Sequence, residues 1–532
     1  MWLAACGDPA PFADAGPDAA PDARPDDASG PDAPAPGLDA ASDASTPDAA
    51  VADAGAPDAP QLSDAAPPDA APPDAALPDA GPPLGGFVIT VANREVAPND
   101  FRCWLVRVPL DGGPAVNLTS PTGLCVGEFE VTPDGSFAVY RQGGMLFSVR
   151  TDGSTPPLQL SGPFTSGVDF TLSPRGDRVA YSWYPEKRLY TVRLDGTGLV
   201  DVSGGRQVES PRWSPRGDVL VYEHTDDSVF GELMLTCPEQ DCSRSILPGG
   251  PAAIVGFSPD GAYLAATAHW SGSQAELWTI DMATFATHRV APAIYNLSGS
   301  QRWSPDSRRL TYITGTSDVE TLHVGCADGT CTSTLVLPFI GAIRSDCTLG
   351  WSSDASHVIV EAQTANGQPL RLFTLCSDGT CVHEYPTTVD HGAKKGAFSP
   401  EGWVIHRGSL PGSSTSEIVA DCLDETCPRL SATQGGDSYL GPPRWYPGTN
   451  RFVAAGSTGV VVSEGIGSIA RQVFASGRLL DKVSFDAGGQ RVLFTDSSYH
   501  VRSVRIDGSN LRDLDAAVTP SGHLDSFYLV VR

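Results

Sequence analysis

The chain has no run approaching the ~18 consecutive apolar residues of a membrane-spanning helix, which excludes an ordinary transmembrane segment. Positive charge is scarce. There are 35 Lys and Arg against 63 Asp and Glu, and the basic residues form no cluster, which argues against a nucleic-acid or anionic-membrane surface. No Gly-x-Ser-x-Gly elbow, His-Glu-x-x-His or phosphate-binding loop occurs. Gly465-Ile466-Gly467 lacks the strand-to-helix context of a dinucleotide site. No cofactor is therefore expected and no residue is assigned a catalytic role.

What is abundant is Asp, Pro and Ala, and they are unevenly placed. Residues 1–85 carry sixteen Asp, no Glu and only Arg24 as a base, a sum of −15 out of −28. The tract repeats Pro-Asp-Ala, as at Pro17-Asp18-Ala19, Pro57-Asp58-Ala59 and Pro73-Asp74-Ala75. It offers almost nothing large and apolar to bury, so ordering it would cost backbone entropy without return. Residues 7–85 are expected to form a disordered stalk, stiffened by proline and extended by charge repulsion. At ~3.1 Å per residue it would reach roughly 200 Å.

Residues 1–6 precede it. Leu3-Ala4-Ala5-Cys6 resembles a bacterial lipobox, in which the Cys thiol takes a lipid. The charged start and apolar stretch of a signal peptide are missing. Either the start codon was assigned too late or the match is chance. The stalk that follows at once favours the first reading, which makes Cys6 the lipidation site and the protein an exported, membrane-anchored lipoprotein.

From residue 86 onward the pattern is short strands and turns. A unit recurs every 40 to 48 residues or so: an aromatic or apolar residue, Ser, Pro, Asp or Arg, Gly, then a β-branched or aromatic run. Examples are Leu172-Ser173-Pro174-Arg175-Gly176, Trp213-Ser214-Pro215-Arg216-Gly217, Phe257-Ser258-Pro259-Asp260-Gly261 and Trp303-Ser304-Pro305-Asp306. Weaker copies stand at Trp351, Trp445 and Phe485. Pro and Gly give the turns a mechanism, and later Asp-Gly pairs signal hairpins. Each unit parses into four strands, A to D, the composition of a propeller blade.

These residues resemble the TolB-type propeller repeat, a relative of the WD-repeat family. The resemblance implies an all-β, single closed β-propeller over residues 86–532. The count is ten four-stranded blades, or eight or nine if a weak copy is not a blade. Phe87–Thr119 supplies strands B, C and D without an A, and 523–529 patterns as a lone strand A. Pairing the two would close the ring.

Twelve Cys are many for a cytosolic chain. Eight fall in four equal spacings at expected C–D hairpins: Cys237/Cys242, Cys326/Cys331, Cys376/Cys381 and Cys422/Cys427. With Asp-Gly as a two-residue turn, Cys326 and Cys331 would form a non-hydrogen-bonded cross-strand pair, close enough for a disulfide. Cys103 and Cys125 are a further candidate pair, and Cys347 is left over. A metal site would require pairs from separate blades to converge, so none is expected.

The A–B and C–D turns share one face. The other face receives the ends of the B strands, which supply Arg141, Trp183, Tyr184, His224, His269, Trp270, Gln363, His406 and Arg407. Aromatics, histidines and guanidiniums suit recognition. The sequence thus predicts a monomeric, non-enzymatic binding or scaffold propeller at the cell envelope, with a protein or cell-wall component as partner and no nucleic acid. A hydrolase or lyase in the central channel, and a small-ligand sensor, are the alternatives. The enzyme reading requires several of His224, His269, His406 and Arg407 to converge on a common point.

Overall fold

The computed structural model describes residues 86–531 apart from 98–99, 111, 164–167, 184–185, 225–230, 248–251, 272–273, 296–300, 317–318, 336–342, 345–348, 364–369, 386–395, 409–416, 424–428, 432–442, 456–458, 469, 476–482, 497–499, 519–522 and 525–529. The expected stalk, Cys6 and Cys347 lie outside the described residues.

The described chain folds into ten antiparallel sheets of short strands, with one 3-10 turn at Asp515–Ala517. Blade 1 spans 87–117, blade 2 126–159, blade 3 168–201, blade 4 208–247 and blade 5 252–295. Blades 6 to 10 span 302–335, 343–385, 396–431, 444–475 and 483–513. Strands that follow one another in sequence pair in each sheet, the meander that short turns impose, except that Ile343–Arg344 and Gly350–Trp351 of blade 7 both pair with His357–Gln363. Ten is above the four to eight blades usual for propellers.

The ring closes through blade 1. Its longest strand, Phe87–Ala97, pairs on one side with Asp100–Pro109. On the other side it pairs with two C-terminal pieces, with Ala92 opposite Leu524 and Val88 opposite Val531. The sheet edge left by a missing strand A is thereby covered.

Ten buried apolar clusters are found among the described residues, and each lies between two successive blades. Strand B of blade 4, Leu220–His224, shows how. Alternate side chains point to opposite faces of a strand. Leu220 and Tyr222 pack toward blade 3, and Val221 packs toward blade 5. Each B strand is therefore buried on both faces and reads as a nearly continuous apolar run. One cluster joins Leu493, Val501 and Leu514 of blade 10 to Val88, Trp104 and Leu524 of blade 1, so the last interface is built like the others. Each fully buried side chain of this size is worth about 1.5–3 kcal/mol.

The A strands of adjacent blades pack on one another, as in blades 2 and 3, 3 and 4, and 9 and 10. They are the inner strands of the ring. Register shifts interrupt several of them, at Val126/Phe129, Glu209/Arg212 and Ile254/Gly256. Bulges of this kind bend the strand and re-aim its side chains.

Candidate functional site

The A–B turns share a hydrogen-bond pattern. In blade 6 the Ser304 hydroxyl donates to Asp306 Oδ1 at 2.5 Å, and the same oxygen accepts from the Arg308 amide. Ser304 Oγ also takes the amide of Arg309, the first residue of strand B. Thr132 and Asp134, Ser258 and Asp260, and Ser352 and Asp354 repeat the arrangement. Burial alone would raise these carboxyls, but the donated hydrogen bonds outweigh it and hold Asp134, Asp260 and Asp306 below the usual range. Asp354 is pushed down to about 2.

Successive blades are tied together on this face. Arg175 Nε donates to the Arg216 carbonyl, Arg216 Nε to the Asp260 carbonyl, and Ser353 to the Pro400 carbonyl. The Arg309 guanidinium reaches the Ala355 carbonyl in the next A–B turn and Ser377 in the next C–D turn. Buried Arg178 does the same toward Pro238 and Glu239. Tryptophans at the head of the repeat add struts. Trp213, Trp303 and Trp351 each donate their indole N–H to a carbonyl on strand A of the preceding blade, at 3.1, 3.0 and 3.0 Å. Two half-buried carboxylates bridge blades as well. Glu130 accepts the Leu172 amide, Glu223 accepts the Ile254 amide, and burial raises both carboxyls.

Disulfides join Cys237 to Cys242, Cys326 to Cys331 and Cys376 to Cys381 at the C–D hairpins, and Cys103 to Cys125 across blades 1 and 2. Cys422 is disulfide-bonded, while Cys427 lies outside the described residues. The hairpins differ from the expected two-residue turn. The Cys326 amide donates to the Cys331 carbonyl, and Gly329, at φ +70°, donates back to the Cys326 carbonyl. Asp328-Gly329 is therefore the end of a type I turn inside a four-residue loop, with a glycine in the left-handed region closing it. The Cα atoms still lie 5.1 Å apart, within disulfide range.

The opposite face carries the predicted recognition residues. Arg141 and His224 end the B strands of blades 2 and 4, both partly exposed, and His224 Nδ1 sits 3.0 Å from the Gln207 carbonyl. Tyr184 lies outside the described residues. The backbones of Trp183, His269, Trp270, Gln363 and Arg407 are placed at the ends of B strands, but their side chains lie outside the described residues. His406 does not belong to this face. It is the middle of strand Val404–Gly408, 1 % exposed, and its Nε2–H donates to Asp421 at 2.6 Å. Arg429 clamps the same carboxylate through Nε and Nη2 at 2.8 and 2.9 Å. Burial would raise Asp421, but His406 and Arg429 hold it below the usual range. His224 and His406 thus serve different partners in blades 4 and 8.

Two histidine-containing groups among the described residues could hold a cation. In the first, His500 faces Asp513 at 3.7 Å, but Arg502 shares that carboxylate, and Asp515 is occupied by the Leu524 amide. In the second, His357 Nε2 lies 3.6 Å from Cys376 Sγ, beside the Cys376–Cys381 bridge. Sequence inspection does not reveal this group, because it depends on His357 standing directly opposite Cys376 across strands B and C.

Strand pairing defines a ten-bladed β-propeller, with its A–B and C–D turns on one face and its B–C loops on the other. No protein-family profile and no curated protein matches the chain. Solved structures similar to it include a eukaryotic initiation factor, at 12 % identity over 81 % of this chain and 96 % of that one, TM-score 0.49. A putative TolB from Agrobacterium tumefaciens is 13 % identical over 56 % of this chain and 89 % of its own, TM-score 0.26. An oligogalacturonate lyase in complex with manganese is 16 % identical over 61 % and 95 %, TM-score 0.32. The fold assignment rests on this chain's own strand pairing. No helix among the described residues is long and apolar enough to cross a membrane.

Proposed function

We propose that the chain is a non-enzymatic binding or scaffold propeller held at a bacterial cell envelope, meeting a protein or cell-wall partner on its B–C loop face. The observation that carries this is the placement of Arg141 and His224, both partly exposed, at B-strand ends on one face. The A–B and C–D turns of the opposite face are tied from blade to blade by guanidiniums, which makes that rim a stiff base for the loops. The disulfides favour an oxidising compartment, in line with a lipidated Cys6.

The test uses the full chain expressed from an upstream start codon in a bacterial host. A photo-crosslinking residue is placed at His224, or at Arg308 on the tied face. Envelope adducts from His224 alone support the reading. Adducts from Arg308 alone would reverse the face assignment. A cytosolic, unlipidated protein with free thiols would remove the envelope from the proposal.

A further inference from the structure

The bridge between Cys376 and Cys381 has a neighbour that the Cys326–Cys331 staple lacks. Opposite Cys376 on strand B stands His357, whereas Arg309 stands opposite Cys326. All three ligand atoms of His357, Cys376 and Cys381 lie within 4.8 Å of one another, and all three residues are partly exposed. It is the one Cys-containing group of this kind among the described residues.

The protonation of His357 follows from its other nitrogen. Ser356 Oγ lies 2.7 Å from Asp354 Oδ1 and 2.7 Å from His357 Nδ1. An ionised carboxylate only accepts, so the single hydroxyl proton goes to Asp354. Ser356 Oγ must then accept from the imidazole, which places the proton on Nδ1. Nε2 is left with a bare lone pair facing Cys376 Sγ at 3.6 Å. This chain of Asp354, Ser356 and His357 is the arrangement by which proteins orient a metal-ligating imidazole. The backbone amide of Cys376, which donates to the Cys381 carbonyl, also lies 3.1 Å from Cys381 Sγ.

We propose that His357, Cys376 and Cys381 form a reduction-gated site for one zinc-class divalent cation. A dithiol reductant opens the bridge: two electrons and two protons pass from the dithiol to the protein sulfurs, and the dithiol becomes a disulfide. Zn²⁺ then displaces the two thiol protons and takes two thiolates and Nε2 as ligands, with water in the fourth position. Ligand atoms around tetrahedral zinc stand roughly 3.5 Å apart, so the sulfurs separate while the imidazole stays in place. The oxidised protein holds no cation there, and the hairpin exchanges a covalent staple for a metal one.

Co²⁺ is the probe, because thiolate ligation gives it a sulfur-to-metal charge-transfer band. The full chain is reduced anaerobically, freed of reductant and titrated. One equivalent with that band is expected, displaced by Zn²⁺, and none in the oxidised chain. His357→Gln should weaken binding at least ~10-fold, and Ser356→Ala, which frees the imidazole to rotate, by ~10-fold. The Cys326→Ser/Cys331→Ser chain should bind as wild type. The proposal fails if the reduced chain shows no such band, or if His357→Gln or Cys376→Ser/Cys381→Ser binds unchanged. It fails equally if loss of the Cys326–Cys331 pair removes the signal. A reduced chain that has lost its near-ultraviolet circular dichroism also overturns it, since the site requires the native hairpin.

Discussion

The indole of Trp303 donates to the carbonyl of Gly256 across the boundary between blades 5 and 6, at 3.0 Å. Gly256 lies at the bulge of its inner strand, and its carbonyl is met by the next blade. Trp213 and Trp351 make the same link in their own interfaces. The Trp that heads the repeat is thus a device for joining blades as well as a core residue.

Replacing Trp303 by Phe should therefore cost about 1–2 kcal/mol, mostly from the carbonyl left without a donor. Trp445 is the internal control, since its Nε1 has no hydrogen-bond partner among the described residues. Trp445→Phe should cost clearly less. Denaturant midpoints of the two variants at unchanged slope decide it, and equal losses would mean that ring packing, not the strut, carries the effect.

The Cys103–Cys125 bridge closes 22 residues and spans two blades, whereas each hairpin staple closes five. The chain-entropy model then gives about 3 kcal/mol for the former and about 2 kcal/mol for each of the latter. Cys103→Ser/Cys125→Ser should lower the melting temperature more than Cys326→Ser/Cys331→Ser does. The opposite order would show that hairpin strain or residual unfolded structure dominates.

The repeat was readable because its turns need particular residues: Ser and Asp to bond amides, Gly for a positive φ, an aromatic at the blade boundary. Nine such units, with one composite of the two chain ends, correspond to ten sheets. The loop face was less readable, for a reason visible at His406. Position near the end of an apolar run suggests a rim residue. Yet strand Val404–Gly408 is buried on both faces, so a polar side chain in its middle goes inward and must bring a partner, here Asp421. His357 is not legible in the sequence for the converse reason. Its meaning depends on cross-strand register with Cys376, 19 residues on, which no local motif encodes.

Acid should loosen the ring through the A–B turns. Asp260 is held below the usual carboxylate range, with burial opposed by bonds from the Ala262 amide and the Ser258 hydroxyl. A carboxyl whose folded value is depressed adds stability that is fully present above its unfolded value, near 4. That stability fades as pH falls through the folded value. Asp260→Asn should thus be less stable than wild type at pH 6, and the gap should close between pH ~4 and lower values. Urea midpoints of both proteins across that range test this. A gap independent of pH would assign the effect to geometry alone.

The C-terminal strand should act as the lock of the ring. Leu524 is buried in the cluster between blades 10 and 1, and its backbone pairs with Ala92 while its amide meets Asp515. Deleting residues 523–532 would uncover the edge of Phe87–Ala97, an apolar strand of eleven residues. Such an edge is a template for pairing with another chain. The deleted protein is expected to self-associate in a concentration-dependent way and to melt earlier, as read by light scattering and calorimetry. Leu524→Asp is the milder variant, removing a contact worth about 2 kcal/mol while keeping the strand. A synthetic peptide of residues 519–532 should restore the monomer. A deleted chain that stays monomeric with an unchanged melting temperature would mean that blade 1 stands without its fourth strand, and that the apolar layer at Trp104 and Leu493 suffices to hold the ring shut.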